Sequence, residues 1–176
     1  GLYLKTGEWK YWIKIFRHLI NNYGMQVLEL SGRTKTITKT KKMNNLSNKV
    51  AYITGGSKGI GFGIAKVLLD NGMRVAITSR TLSGATEAAA LLSKDPSKIL
   101  PLQSDVSSLA SETKAIQATL DHFGQLDVLV ANAGVGHFAN IEDITEQQWK
   151  ETIDTNLTGV FNSVKANIAA LKKSQG

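Results

Sequence analysis

The sequence has no cysteine, only two prolines among 176 residues, and no long apolar run. Without cysteine there is no disulfide, no thiolate nucleophile and no cysteine-ligated metal. The longest unbroken apolar stretch, Ala88 to Leu92, is five residues, against the roughly 20 that a membrane-spanning helix needs. The first 30 residues lack the apolar core, about 7–15 residues long, of a secretory signal. A reducing, cytoplasmic setting is the expectation. Most of the chain also lacks a charge excess. The net charge is +7, but residues 1–42 hold nine Lys or Arg against two acids, while residues 43–176 hold twelve of each. The basic pI, near 9.6, therefore gives the body of the chain no nucleic-acid signature, and no nucleic-acid partner is expected.

What is present divides near Met43. The first residue is Gly, and the first methionines, Met25 and Met43, are the earliest plausible starts. Trp9, Trp12, Ile13, Phe16, Leu19, Ile20 and Tyr23 recur at helical spacing within roughly 120° of arc. Lys10, Lys14 and Arg17 fall on the other side, and Thr34 to Lys42 reads as a Thr/Lys linker. This basic amphipathic segment has three readings: a membrane-surface or partner helix, a helix packed on the domain, or a stretch foreign to the mature protein. The third is preferred, and membrane association of residues 1–42 is not expected.

From Lys49 the pattern alternates. Val50–Ile53, Arg74–Thr78, Ile99–Leu102 and Leu126–Ala131 read as buried strands. Ile60–Asp70, Ala85–Ser93 and Leu109–Phe123 read as helices, the first with Ile60, Ile64, Val67 and Leu68 on its apolar face. A long helix starts at the capping-box spacing of Thr145 and Gln148 and runs to about Lys172. Strand and helix in repeated alternation predict an α/β fold. It is a doubly wound, Rossmann-like parallel sheet in a three-layer αβα sandwich, ending after the fourth strand and its helix.

Thr54-Gly55-Gly56-Ser57-Lys58-Gly59-Ile60-Gly61 lies between the first strand and the first helix. Such a loop must turn sharply, bring backbone close to a phosphate and seat the helix on the sheet. Each task excludes a Cβ at a particular place. The helix N-terminus then offers free N–H groups to a pyrophosphate. A P-loop is excluded, because Phe62 and Gly63 stand where it needs Lys and Ser or Thr.

On these residues the chain resembles the short-chain dehydrogenase/reductase family, whose cofactor motif T-G-x-x-x-G-x-G is matched by Thr54 to Gly61. Three more family motifs follow in order: Asp105-Val106 after the third strand, Asn132-Ala133-Gly134 at the end of the fourth, and Asn156 within Asp154 to Gly159. The resemblance covers residues 49–176. It implies cofactor contacts at Thr54, Gly55, Ser57, Lys58, Gly59, Ile60 and Gly61, an adenine contact at Asp105 and Val106, and further contacts at Asn132, Ala133 and Gly134. It implies that Asn156 holds a helix distortion and a water in a proton relay. It also implies a small carbonyl or alcohol substrate, 3-oxoacyl carrier-protein derivatives among the possibilities, and a dimer or tetramer of like chains. Asp105 has a plainer reading as a helix N-cap, and Asn132 as a tie between strands.

Binding of NAD usually needs an acid at the end of the second strand. Here Thr78-Ser79-Arg80-Thr81 stand there, and no acid occurs between Asp70 and Glu87. Arg80 offers a planar fork for a 2′-phosphate, with Lys58 and Ser79 as further donors. NADP(H) is therefore expected over NAD(H).

The family's general acid/base, a Tyr followed four residues later by Lys, has no counterpart here. The residues four after Tyr3, Tyr11, Tyr23 and Tyr52 are Gly7, Ile15, Val27 and Gly56. The resemblance therefore implies the N-terminal part of a longer enzyme, inactive alone. The alternative is a non-catalytic dinucleotide-binding or regulatory protein. His122 and His137 have no second ligand at useful spacing, and no metal is expected.

Overall fold

The computed structural model describes residues 46–176. The amphipathic helix and linker expected over residues 1–42 lie outside the described residues. Four strands, β1 (Val50–Ile53), β2 (Arg74–Ser79), β3 (Ile99–Gln103) and β4 (Val128–Val130), form one sheet in the order β3-β2-β1-β4. All neighbours pair in parallel, as in Tyr52 opposite Ala76 and Leu129. Helices α1 (Gly59–Asp70), α2 (Leu82–Leu92) and α3 (Leu109–Phe123) make the crossovers. After β4 come α4 (Glu146–Ile153), a π-helical segment over Asp154–Thr158, and α5 (Gly159–Ser174). The doubly wound parallel arrangement is the one the strand-helix alternation predicts.

Strand periodicity divides the core in two. Ala51, Ile53, Val75 and Ile77 face α1 and α2, meeting Ala65, Ala88 and Ala89. Val50, Tyr52 and Ala76 face the other way, toward Ala115, Ile116 and Phe123 of α3, with Ala166 and Ala170 of α5 alongside. Each large aliphatic side chain buried outright, such as Ile53 or Ile77, contributes about 1.5–3 kcal/mol.

Four local expectations need correction. The buried face of α1 is small: Gly61 and Ala65 are buried, whereas Ile60 and Val67 are exposed. Small residues let the helix lie close to the sheet; of the four expected aliphatics Ile64 and Leu68 pack against the core, while Ile60 and Val67 turn outward. Helix α2 begins at Leu82, not Ala85, because the Thr81 side chain caps it by accepting from Gly84 N at 3.3 Å. Strand β4 holds only Val128–Val130 rather than Leu126–Ala131, while β3 runs, as expected, through Pro101 and on to Gln103, a proline that an edge strand tolerates because one side of it needs no donor. The long helix after Thr145 has its capping box but is broken by the π-segment before α5.

Candidate functional site

Strand order reverses between β1 and β4, and in open α/β sheets the crevice at such a point, beyond the strands' carboxyl ends, is where ligands bind. A cleft of about 970 Å³ lies there, at the upper end of the roughly 300–1,000 Å³ usual for small-molecule sites. Its lining brings together Gly55, Ser57, Lys58 and Ile60 of the glycine loop, Ser79 and Arg80 after β2, Asp105 and Val106 after β3, and Asn132, Ala133 and Gly134 after β4. Of the residues singled out in the sequence, Thr54, Gly59, Gly61 and Asn156 are not in its lining; Thr54 and Gly61 are buried, Gly59 and Asn156 exposed.

Those four shape the wall. Thr54 is buried, and its hydroxyl accepts from the backbone N–H groups of Asn132 and Ala133, both at 3.0 Å. The Asn132 amide returns the tie, donating to the carbonyls of Thr54 at 2.9 Å and Gly55 at 3.2 Å. These bonds clamp the ends of β1 and β4 together, so Asn132 is the strand tie that its plainer reading describes. Gly55 has φ +64°, and a Cβ on it would meet the Ala133 Cα at 2.9 Å. A Cβ on Gly61 would lie 2.5 Å from both the Asn132 amide nitrogen and the Gly55 carbonyl oxygen. Helix α1 starts at Gly59 with no side-chain cap and no acid in its first turn. Among the described residues its first N–H groups find no side-chain partner of the kind that helix ends usually have.

Asn156 sits in the π-segment. Its side chain accepts from Val135 N at 2.8 Å and donates to Val135 O at 2.8 Å, pinning the loop that leaves the Asn132-Ala133-Gly134 corner. This two-sided bond lies in the helix distortion that the resemblance implies. Asp105 does not cap α3; Ser108 does. The Asp105 carboxylate instead accepts from the backbone and hydroxyl of Ser107, at 3.0 and 2.8 Å, closing a tight turn at the cleft edge.

The far wall comes from residues that the sequence reading missed. Gln147, Lys150, Glu151 and Asp154 line the cleft, and their spacing of three, four and seven marks one face of a helix. Glu151 lies 3.6 Å from the Arg80 guanidinium and 3.1 Å from His137 Nε2. It joins the rim after β2 to the loop after β4. His137 thus has a carboxylate partner, and His122 packs edge-on against Phe123. Beneath the cleft Tyr52 is fully buried and bonds to Glu112. Burial first, and the neighbouring Glu112 second, hold its phenol far above its ordinary range, so it stays neutral. Among the described residues no helix is long and apolar enough to cross a membrane.

The sequence matches the short chain dehydrogenase family over residues 49–176. The chain is 37% identical over 135 residues to a 3-oxoacyl-(acyl-carrier-protein) reductase of Chlamydia muridarum, covering 76% of this chain and 54% of that protein. A 3-ketoacyl-(acyl-carrier-protein) reductase of Brucella melitensis, solved with NADH, superposes with a TM-score of 0.69 at 33% identity, over 73% of this chain and 52% of that one. An alcohol dehydrogenase of Thermococcus sibiricus, solved with 5-hydroxy-NADP, does so with a TM-score of 0.69 at 36% identity, over 74% and 56%. The chain thus spans about half the length of the curated relatives it matches. With the glycine loop, the strand-end clamp and the asparagine of the π-segment all in register, the chain belongs to the short-chain dehydrogenase family.

Proposed function

We propose that this chain forms the coenzyme half of an oxidoreductase that interconverts a carbonyl and an alcohol, with NADP(H) preferred over NAD(H). The observation that carries the proposal is the rim after β2. Ser79 and Arg80 line the cleft there, Lys58 lines it from the glycine loop, and β2 carries no carboxylate. A ribose 2′-OH is best met by an acid, whereas a 2′-phosphate is best met by a guanidinium fork with further donors.

The residues present fit a dinucleotide. The uncapped start of α1 suits a pyrophosphate, and the close approach of Gly55 to Ala133 and of Gly61 to Asn132 leaves backbone, not side chain, beside it. In this reading Thr54, Gly55, Ser57, Gly59, Ile60 and Gly61 shape or line the pyrophosphate site. Asp105 and Val106 border the adenine, and Asn132, Ala133 and Gly134 form the corner between the two nucleotide halves. Asn156 holds the loop after β4 in place and, with it, the approach to the reacting carbon. When bound, the nicotinamide coenzyme supplies or accepts the hydride. Two of the relatives are by name a 3-oxoacyl-(acyl-carrier-protein) reductase and an alcohol dehydrogenase, which supports a small carbonyl or alcohol as substrate.

The test is Arg80→Asp, read by fluorescence titration with NADPH and NADH. Loss of a charged phosphate contact is worth about 1.5–3 kcal/mol, so NADPH affinity should fall roughly ten- to a hundredfold. NADH affinity should change less than about twofold, the coenzyme having no phosphate there. Equal loss for both coenzymes would overturn the assignment.

A further inference from the structure

Beneath the cleft a carboxyl group sits where a parallel-sheet protein usually has an aliphatic side chain. Glu112 of α3 has no exposed surface. Its oxygens accept from Ser104 Oγ at 2.6 Å, Ser163 Oγ at 2.8 Å and the Tyr52 hydroxyl at 3.0 Å. No Lys or Arg is within ion-pair distance of it among the described residues. Three hydroxyls and a place in the first turn of α3, at the positive end of the helix dipole, compensate its burial.

The three donors come from three different elements, and this is what gives the group a further use. Ser104 begins the loop that leads to Asp105 and Val106, and it lines the cleft itself. That loop is fastened again where Asp105 N donates to Ser111 Oγ at 3.0 Å and where Asn162 Nδ2 donates to Val106 O at 2.9 Å. Ser163, beside Asn162, belongs to α5, the helix that continues directly from the π-segment carrying Asn156. Tyr52 belongs to β1, which ends in the glycine loop. Glu112 therefore touches, through one side chain each, the adenine-side loop, the helix of Asn156 and the strand before the phosphate loop.

We infer that Glu112 is a positioning residue for the coenzyme: its buried carboxyl group holds the Ser104–Val106 loop and α5 in one register, and so sets the shape of the adenosine side of the cleft. This rests on the coenzyme reading above. A plain packing role for the same cluster would lower stability on mutation and leave ligand affinity alone, because Glu112 does not line the cleft.

The experiment compares Glu112→Leu, Glu112→Gln and Ser163→Ala by calorimetric titration with adenosine 2′,5′-bisphosphate, alongside thermal unfolding. Glu112→Leu removes every acceptor, and affinity should fall at least about fivefold, the scale set by losing one or two net hydrogen bonds. Glu112→Gln keeps the acceptor facing Ser104 and Tyr52 and should bind within about twofold of the parent. Ser163→Ala lies outside the cleft and cuts only the link to α5. It should weaken binding about two- to fivefold, and it stands in for Glu112→Leu if that variant does not fold. Parent-like affinity in Ser163→Ala, or in a folded Glu112→Leu, would overturn the inference while leaving the coenzyme reading intact. Failure of the unaltered protein to bind the bisphosphate would overturn the coenzyme reading itself, and this inference with it.

Discussion

Two glycines of α1, two residues apart, should respond to alanine in opposite ways. At Gly63 an added Cβ meets nothing within 4 Å, and the position is exposed. Alanine there gains only its helix advantage, about 1 kcal/mol. At Gly61 the same advantage is opposed by contacts of 2.5 Å to the Asn132 amide nitrogen and 2.5 Å to the Gly55 carbonyl oxygen. Neither can move freely. The Gly55 oxygen is backbone, and the Asn132 amide is held by two carbonyls. Forcing a methyl into such a site costs about 1–3 kcal/mol. The helix gain is common to both variants, so their difference isolates the steric cost: Gly61→Ala should be less stable than Gly63→Ala by about 1–3 kcal/mol. Urea unfolding followed by circular dichroism measures this as a shift in midpoint at unchanged slope. The clash also pushes α1 away from the strand-end clamp, so Gly61→Ala should lose coenzyme affinity and Gly63→Ala should keep it. Equal stability of the two variants, or a less stable Gly63→Ala, would refute the close-approach argument.

Two further outcomes follow from the charged groups. Burial pushes the Asp127 carboxyl up, but donors from Lys49 at 2.7 Å, Val50 N at 2.8 Å and Gln125 at 2.7 Å outweigh it and hold the group below its ordinary value. A folded-state value below the unfolded one stabilises the fold above the unfolded pKa, about 3.9, and the contribution is lost as pH falls through the folded value. Asp127→Asn should therefore cost about 1–2 kcal/mol at pH 7, and the gap to the parent should narrow in urea titrations below about pH 4; a gap independent of pH would contradict this. Glu151→Gln should tighten NADPH by at most about fivefold, because it frees Arg80 from an exposed pair worth about 0–1 kcal/mol. NADH binding should be unaffected, and the gain should shrink in high salt; the same gain for both coenzymes would show that Glu151 does not act through Arg80.

The parts of this molecule that could be read in advance are those where the constraint is carried by the backbone of one short segment. The loop Thr54 to Gly61 is such a case. A turn with φ +64° at Gly55 and a contact of 2.5 Å at Gly61 each demand glycine, so the residue type reports the geometry. The alternation of Val50 and Tyr52 with Ala51 and Ile53 between the two core faces is likewise a property of any strand. The face of α1 could be read only in part. Hydrophobic periodicity picks out Ile64 and Leu68, which pack on the core, but also Ile60 and Val67, which do not, while close packing on the sheet selects the small residues Gly61 and Ala65. The start of α2 was hidden because Leu82, Ser83 and Gly84 make a weak first turn, and only the Thr81 cap reveals it.

Helix α5 shows the limit of periodicity more sharply, because polar residues share its buried face with Ala166, Ala170 and Leu171. Asn162, Ser163 and Asn167 are buried, while Phe161, Val164 and Ile168 are exposed. Two of the inward polar side chains have partners elsewhere, Asn162 at the Val106 carbonyl and Ser163 at Glu112; Asn167 donates within α5, to Ser163 O at 2.7 Å, and its amide oxygen has no partner among the described residues. Since a buried polar group left alone costs about 1–3 kcal/mol, Asn162 and Ser163 are tolerable only together with Glu112 and the loop after β3. The orientation of α5 is thus a joint property of residues more than 50 positions apart. The same holds for Glu151, whose place opposite Arg80 and beside His137 exists only once α4 is laid across the ends of the strands. The glycine-loop side of the cleft is written in local backbone requirements, whereas the support beneath the loop after β3 and the wall from α4 rest on long-range polar pairs, which is why the first was legible from one sequence and the second was not.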